Sequence, residues 1–143
     1  HVFEQKLRQT VDTIRAQGAQ VLILSQVPLL GMDPKLGSNR PTYFYEDAAA
    51  LAARCKGLDY AYNMDRLQYT NSVIRSVAAE TEGVSALLLS EIFCDENSQT
   101  CQTRVGEESI YADADHVNNL GAQLLWERGE SQFRAALQNI TGD

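Results

Sequence analysis

Residues 21–28 read Val21-Leu22-Ile23-Leu24-Ser25-Gln26-Val27-Pro28, and they give the clearest indication of the fold in the chain. Its first four residues are apolar without alternation, which is typical of a parallel strand that is buried on both faces. The run from Val84 to Leu89 has the same character and predicts a second buried strand. Helical patterns precede, separate and follow the two runs, so we expect a three-layer α/β/α arrangement around a parallel sheet with right-handed crossovers. Since two strands make a poor sheet for such a core, the sequence predicts that this fold is incomplete in the chain.

The helical patterns lie on both sides of the two runs. Before the first run, one apolar helix face is formed by Phe3, Leu7, Val11 and Ile14, and Gly18 ends this helix. Three further helices are predicted, from about Tyr43 to Cys55, from about Asp65 to Gly83, and from Asn119 to about Asn139. Residues 29–42 are rich in Gly and Pro and are predicted to form a loop. No capping side chain precedes the first helix, so we expect the natural protein to continue upstream; the alternative is a simple chain end with His1 as a tag remnant.

Composition limits the possible functions. The chain has 143 residues, enough for one domain, and its 12 Lys and Arg against 19 Asp and Glu give a net charge of −7. Such a charge repels phosphate, which argues against a nucleic-acid partner or an anionic membrane surface. No apolar run approaches the ~18 residues that a membrane-spanning helix needs. We expect neither a cofactor nor a metal.

Three cysteines bear on the compartment. Cys94 and Cys101 enclose a short polar loop that nothing else in the sequence is expected to hold, and a disulfide between them would contribute about 2–3 kcal/mol. That bond would place the domain in an oxidising compartment such as a periplasm. Two unrelated thiols, or half of a metal site, remain the alternatives. Cys55 is most simply a free thiol, because a nucleophilic cysteine would need a histidine partner.

The most informative stretch runs from Tyr111 to Ala122 and contains His116, the sole internal histidine. Asp113 precedes it by three residues and can accept a hydrogen bond from one imidazole nitrogen, whereas Asp115 is expected to point elsewhere. Asn118 or Asn119 would cap the following helix. Three interpretations stay open on spacing alone: an acidic helix start with a bystander histidine, a metal site at Asp113, Asp115 and His116, or the acid–base half of a Ser-His-Asp arrangement.

The pattern Tyr-x-Asp-x-Asp-His-hydrophobe-x-x-x-Gly-Ala at residues 111–122 resembles the end of the SGNH hydrolase-like domain. In particular it looks like the version fused behind membrane acyltransferase family 3 proteins, which O-acetylate bacterial surface polysaccharides. The strand ending at Pro28 and the cysteine pair ahead of the histidine loop are similar to that family too. Val117 and Asn118 stand where Leu and Ser are usual, so the match departs slightly from the family pattern.

The resemblance implies a flavodoxin-like SGNH fold, of which residues 1–143 would be the C-terminal part. Asp113 and His116 match the family's catalytic Asp and His. The nucleophilic serine of the family lies in a Gly-Asp-Ser motif at the end of the first strand, and this chain contains no such motif. We therefore expect the nucleophile upstream and the isolated chain to be inactive. Of the nine serines, Ser25 and Ser90 alone are placed like active-site residues, and both have a simpler structural interpretation.

The implied activity is serine-type acyl transfer to, or deacetylation of, a bacterial surface polysaccharide. The partners would be an acyl donor, the polysaccharide acceptor, the upstream part of the domain and an N-terminal membrane acyltransferase domain. The location would be periplasmic, tethered to the inner membrane. The alternatives are a stand-alone carbohydrate esterase and a non-catalytic polysaccharide-binding domain, in which Tyr43, Phe44 and Tyr45 would stack on sugars.

Overall fold

A computed structural model describes residues 1–29, 58–106, 108–113 and 115–141. The helices are α1 (Val2–Arg15), α2 (Tyr60–Glu80), α3 (Ser90–Phe93) and α4 (Asn119–Thr141). The strands are β1 (Val21–Leu24), β2 (Leu58–Asp59), β3 (Val84–Leu87), β4 (Cys94–Asp95), β5 (Thr100–Cys101), β6 (Arg104–Val105) and β7 (Glu108–Ser109). The predicted helix from Tyr43 to Cys55 lies outside the described residues, as does the predicted loop apart from Leu29.

β1 and β3 pair in parallel, with Val21 opposite Val84 and Leu24 opposite Leu87. Side chains of a strand alternate between its two faces, so Leu22 packs into one apolar core and Ile23 into another. These two cores lie under different helices, and the predicted three-layer parallel arrangement is confirmed.

The first core lies beneath α1 and α2, where Val11, Val73 and Val77 meet Val84. The second lies beneath α4. Its buried members are Val27, Leu87, Leu89, Ile92, Phe93, Ile110 and Tyr111, and the α4 residues Leu120, Leu124, Leu125 and Phe133 pack against them. Because Ile110 and Tyr111 belong to this core, they hold the start of the following surface loop in a fixed position.

Two predicted boundaries were wrong. α2 begins at Tyr60 rather than near Asp65, because the Tyr60 N–H donates to the carbonyl oxygen of Gln99, which is distant in sequence. The second strand ends at Leu87 rather than Leu89, because the carbonyl oxygen of Leu88 already accepts the Glu91 N–H in the turn that opens α3. The first of these contacts joins residues that are far apart in the sequence, whereas the second is a local turn that the apolar run conceals.

The excursion through Cys94 and Cys101 is a hairpin of β4 and β5, with the two cysteines directly opposite each other and joined as a disulfide. The expectation that nothing else holds this loop was wrong. β5 also pairs with β2 on its other edge, and Asp95 Oδ1 accepts the Asn97 N–H within the turn. The hairpin is therefore anchored to the start of α2 as well as cross-linked.

In the described part of the chain, no helix has both the length and the apolar character that crossing a bilayer requires.

Two glycines of α4 provide a matched test of its packing. A Cβ on Gly121 would overlap the backbone carbonyl oxygen of Ile110, whereas a Cβ on Gly129 would come within 2.6 Å of the flexible tip of Ile92. We expect Gly121→Ala to lower the free energy of unfolding by about 1–3 kcal/mol, because backbone cannot move aside. Gly129→Ala should stay within about 1 kcal/mol of the parent, since the gain in helix propensity offsets a small shift of Ile92. Chemical denaturation measures both, and equal effects would contradict this packing.

Candidate active site

A short loop at residues 110–118 carries the predicted aspartate and histidine, and its two ends are tied together. Tyr111 and Val117 form an isolated antiparallel bridge. The Ala112 N–H donates to the carbonyl oxygen of His116 at 2.8 Å, and the Asn118 N–H donates to that of Ile110 at 3.0 Å. The loop is therefore closed at its base by backbone hydrogen bonds, and its tip carries the acidic residues.

Asp113 organises the tip of the loop. Its Oδ1 accepts the backbone N–H groups of Asp115 at 3.0 Å and of His116 at 2.8 Å. Donation from Asp115 N–H, with further donation from the backbone and ring of His116, lowers the pKa of the Asp113 carboxyl to about 2. The carboxylate is consequently ionised throughout the physiological range and is locked in one orientation.

That orientation places Asp113 against the imidazole of His116. Both carboxylate oxygens lie 3.0 Å from His116 Nδ1. The hydrogen bond that His116 Nδ1 donates to Asp113, together with the negative charges of Asp113 and Asp115, raises the pKa of His116 above its ordinary value. In the neutral ring the proton resides on Nδ1, where the carboxylate accepts it, so that Nε2 carries the free lone pair.

Asp115 departs from expectation. The sequence predicted that it points away from the histidine, yet its Oδ1 lies 3.3 Å from His116 Nδ1. The prediction assumed helical spacing, whereas the turn around the Asp113 carboxylate brings the side chains of the adjacent residues Asp115 and His116 together. Asp113 is the hydrogen-bond partner, and Asp115 contributes a second negative charge.

The imidazole is open to solvent on its other side. The His116 side chain is 72% exposed, and among the described residues no hydrogen bond to Nε2 is found. A base that must take a proton from a substrate or from a nucleophile needs such an accessible nitrogen. The predicted pairing of Asp113 with His116 is thus present with the geometry that a general base requires.

Two contacts hold this loop over the carboxyl ends of the parallel strands. The Tyr111 hydroxyl donates to the carbonyl oxygen of Pro28 at 2.7 Å, and burial raises the pKa of that hydroxyl, so it stays a donor. Gln26 Nε2 donates to the carbonyl oxygen of Asp115 at 2.9 Å. In open α/β sheets this edge is where ligands bind. Sequence reasoning missed Gln26 and Tyr111 as loop anchors; the position of Gln26 two residues beyond the end of a strand was the available signal.

Asn118 is the helix cap. Its Oδ1 accepts the Gly121 N–H at 3.0 Å, as an N-cap side chain does, and its Nδ2 donates to the carbonyl oxygen of Ser109 at 2.8 Å. Asn118 therefore supplies an acceptor for a backbone N–H at the start of α4 and also binds the backbone of Ser109, which precedes the loop. Of the two predicted caps, Asn118 has this role.

The two serines placed like active-site residues have structural partners. Ser25 is buried, and its Oγ accepts the Leu89 N–H at 2.9 Å, which joins the ends of β1 and β3. Ser90 is buried too, and its Oγ accepts from Asn71 Nδ2 at 3.2 Å. These contacts favour the structural interpretation for both residues.

The metal interpretation has a geometric basis as well. Ligand atoms of Asp113, Asp115 and His116 lie within 4.8 Å of one another, which is the cluster in the described residues that could hold a cation. However, Asp113 Oδ1 already accepts two backbone N–H groups, and His116 Nδ1 already faces this carboxylate. The arrangement therefore favours the proton-transfer interpretation. Cys94 and Cys101, joined to each other, are not free to bind a metal.

A family model described as "SGNH domain (fused to AT3 domains)" matches residues 1–128. Because the match covers most of the chain, the chain belongs to this family and has its α/β fold. No curated protein and no solved structure matches the chain. Membership supports an acyl-transfer or esterase-like role in a protein that also carries an acyltransferase region.

The charge environment of His116 leads to a direct prediction. The imidazole should titrate above pH 6.5. Asp113→Asn should lower its pKa towards that value, because the substitution removes the hydrogen bond to the carboxylate and its negative charge, which are the two largest causes of the raised pKa. Asp115→Asn should lower it less. NMR titration of the ring protons measures all three proteins, with His1→Gln removing the other histidine signal. A pKa indifferent to Asp113→Asn would contradict the pairing.

The cap can be tested with two substitutions at one position. Asn118→Ala should lower the free energy of unfolding by about 1–2 kcal/mol, since the Gly121 N–H and the Ser109 carbonyl lose a partner. Asn118→Ser should restore much of the loss, because a serine hydroxyl can still accept at the helix start. Urea denaturation gives both values, and a Ser variant as unstable as the Ala variant would show that the cap is not the main contribution.

Proposed function

We propose that this chain supplies the acid–base pair of a serine-type acyl-transfer domain, with His116 as general base and Asp113 as its orienting carboxylate. The observation that carries the proposal is the contact of both Asp113 oxygens with His116 Nδ1 on a loop held over the carboxyl edge of the sheet. Nε2 is left open, as proton transfer to and from a hydroxyl requires.

The proposed reaction has two halves. In the first, His116 Nε2 takes the proton of a serine hydroxyl while that oxygen attacks the acyl carbonyl of the donor. The donor's leaving group departs with the proton that His116 returns, and an acyl-serine ester remains. In the second half, His116 takes a proton from a sugar hydroxyl, whose oxygen attacks the acyl-serine ester, and the proton returns to serine. Asp113 stabilises the imidazolium formed in each half.

The nucleophile is proposed to come from a strand outside residues 1–143, because no Gly-Asp-Ser motif occurs in them. One feature of β1 supports such a strand. Within the described residues, β1 pairs with β3 on one edge, and Leu24 at its carboxyl end is 47% exposed. A further parallel strand on the open edge of β1 would cover this residue and bring its own carboxyl end beside the histidine loop. Residues 1–143 would then be the C-terminal part of one SGNH domain.

The acceptor is proposed to be a bacterial surface polysaccharide, and the acyl donor to reach this domain through the membrane acyltransferase region of the same protein. Family membership supports the fusion. The disulfide supports an oxidising location such as the periplasm, with the inner membrane as the anchor. If water replaces the sugar hydroxyl in the second half-reaction, the same residues act as an esterase.

A non-catalytic polysaccharide-binding role is the second candidate. It would be favoured by an Asp113 carboxylate turned to solvent, whereas here the carboxylate holds the imidazole. The aromatic triplet at Tyr43, Phe44 and Tyr45 lies outside the described residues, and it stays a prediction. The observed pairing therefore favours the enzyme.

His116→Ala in the intact protein tests the proposal. We expect acetyl-ester hydrolysis and acetyl transfer to fall by about three orders of magnitude or more, because triad members act as a unit. In the parent, kcat/KM should rise with pH through the raised pKa of His116, since the base must be neutral.

His1→Ala removes the other histidine and serves as the matched control, with activity expected at the parental level. Ser25→Ala should lower stability but retain labelling by a serine-directed fluorophosphonate, because the proposed nucleophile lies outside residues 1–143 and the buried Ser25 Oγ accepts the Leu89 N–H. Activity that survives His116→Ala would overturn the proposed mechanism.

A further inference from the structure

A polar groove of about 740 Å³ lies between α2 and the segment formed by α3, β4 and the following turn. One wall is a single face of α2, whose lining residues recur at intervals of three and four: Tyr60, Met64, Gln68, Asn71 and Arg75. The other wall consists of Ser90, Glu91, Cys94 and Glu96. This volume is within the range of small-molecule sites in proteins. The proposed proton transfer does not use any of these residues.

The floor of the groove is polar where apolar packing would be expected. Asn71 is 8% exposed and Ser90 0%, and Asn71 Nδ2 donates to Ser90 Oγ. Asn71 Oδ1 is buried, and among the described residues it has no hydrogen-bond partner. A buried acceptor without a partner destabilises a fold, so its presence here points to a role in binding rather than in stability.

The charges of the groove select against anions. Among the described residues that line the groove, Asp65, Glu91 and Glu96 are accompanied by a single cation, Arg75, which already pairs with Glu91. The remaining carboxylates can accept hydrogen bonds and would repel a phosphate or a uronic acid. In the part of the chain that the structure describes, the groove acids also form no cluster that could hold a metal, since that cluster lies at Asp113, Asp115 and His116.

We propose that this groove binds a neutral sugar unit. The amide of Gln68 offers both a donor and an acceptor. The Ser72 Oγ, whose proton is donated to the Tyr69 carbonyl oxygen, and the carboxylate of Asp65 offer further acceptors, and together these groups match the hydroxyl groups of a pyranose. Tyr60 lines the end of the groove opposite Arg75 and supplies an aromatic surface for the C–H face of a sugar. Identifying this sugar as part of the acyl acceptor rests on the proposed function, whereas the binding itself does not require His116.

The test measures sugar binding on the intact protein by saturation-transfer NMR. The probes are the methyl α-glycosides of glucose, galactose, mannose and rhamnose, together with N-acetylglucosamine, and glucuronic acid is the anionic comparison. We expect at least one neutral sugar to bind and glucuronic acid to bind more weakly. Gln68→Ala should weaken that binding about fivefold, the effect of one lost hydrogen bond, and Asn71→Leu should weaken it further.

Gln132→Ala, the same exposed substitution on α4, is the matched control and should leave binding unchanged. Gln68 is exposed on the surface of α2, so its variant remains informative even if Asn71→Leu fails to fold. Binding that both groove variants leave intact, equal binding of glucuronic acid, or no binding of any neutral sugar would each overturn the inference. His116→Ala should bind sugar like the parent; if it also keeps its acyl-transfer activity, the proposed function fails while the groove stands.

Discussion

The parallel pairing of β1 with β3 is the constraint on which the rest of the structure depends. Since Leu24 lies opposite Leu87, the two strands end at the same level, and the residues beyond them meet at one edge. The Ser25 hydroxyl strengthens this junction by accepting the Leu89 N–H. If the register slipped by one residue, Leu22 and Ile23 would exchange faces, and both apolar cores would lose their strand contacts. The histidine loop lies over this junction, so the sheet fixes the position of the loop.

Asp113 serves structure and chemistry with the same carboxylate. By accepting the Asp115 and His116 N–H groups it closes the turn, and by facing His116 Nδ1 it sets the tautomer of the ring. A carboxylate that is already ordered by backbone donors needs no rearrangement when the imidazole becomes charged. Its pKa near 2 keeps it ionised while His116 gains and loses a proton. One carboxylate thus orders both the turn and the imidazole, and the ring of His116 stays exposed.

The groove and the histidine loop differ in how their polar groups are satisfied. At the loop, each Asp113 oxygen has a defined partner, and at the end of β1 the Ser25 hydroxyl is bonded as well. At the groove, Asn71 retains a buried acceptor beside Ser90 that has no partner among the described residues. Buried polar groups are normally paired because water is no longer available to them. This contrast is why the groove, rather than the serines at the strand ends, is the place where a ligand is inferred.

The layers of this protein and the Asp113–His116 pair at its candidate site could be predicted from the amino-acid sequence. The uninterrupted apolar run at 21–24 and the periodicity of α1 and α4 are local signals, and hydrophobic burial makes them decisive. The spacing of Asp113 and His116 likewise acts within one turn. The tertiary structure alone decided where α2 begins, that Asp115 approaches the imidazole, and that Gln26 and Tyr111 anchor the loop. Each of these features depends on a hydrogen bond or an electrostatic contact. The packed fold sets the distance between the groups involved, and local sequence patterns carry no information about such distances.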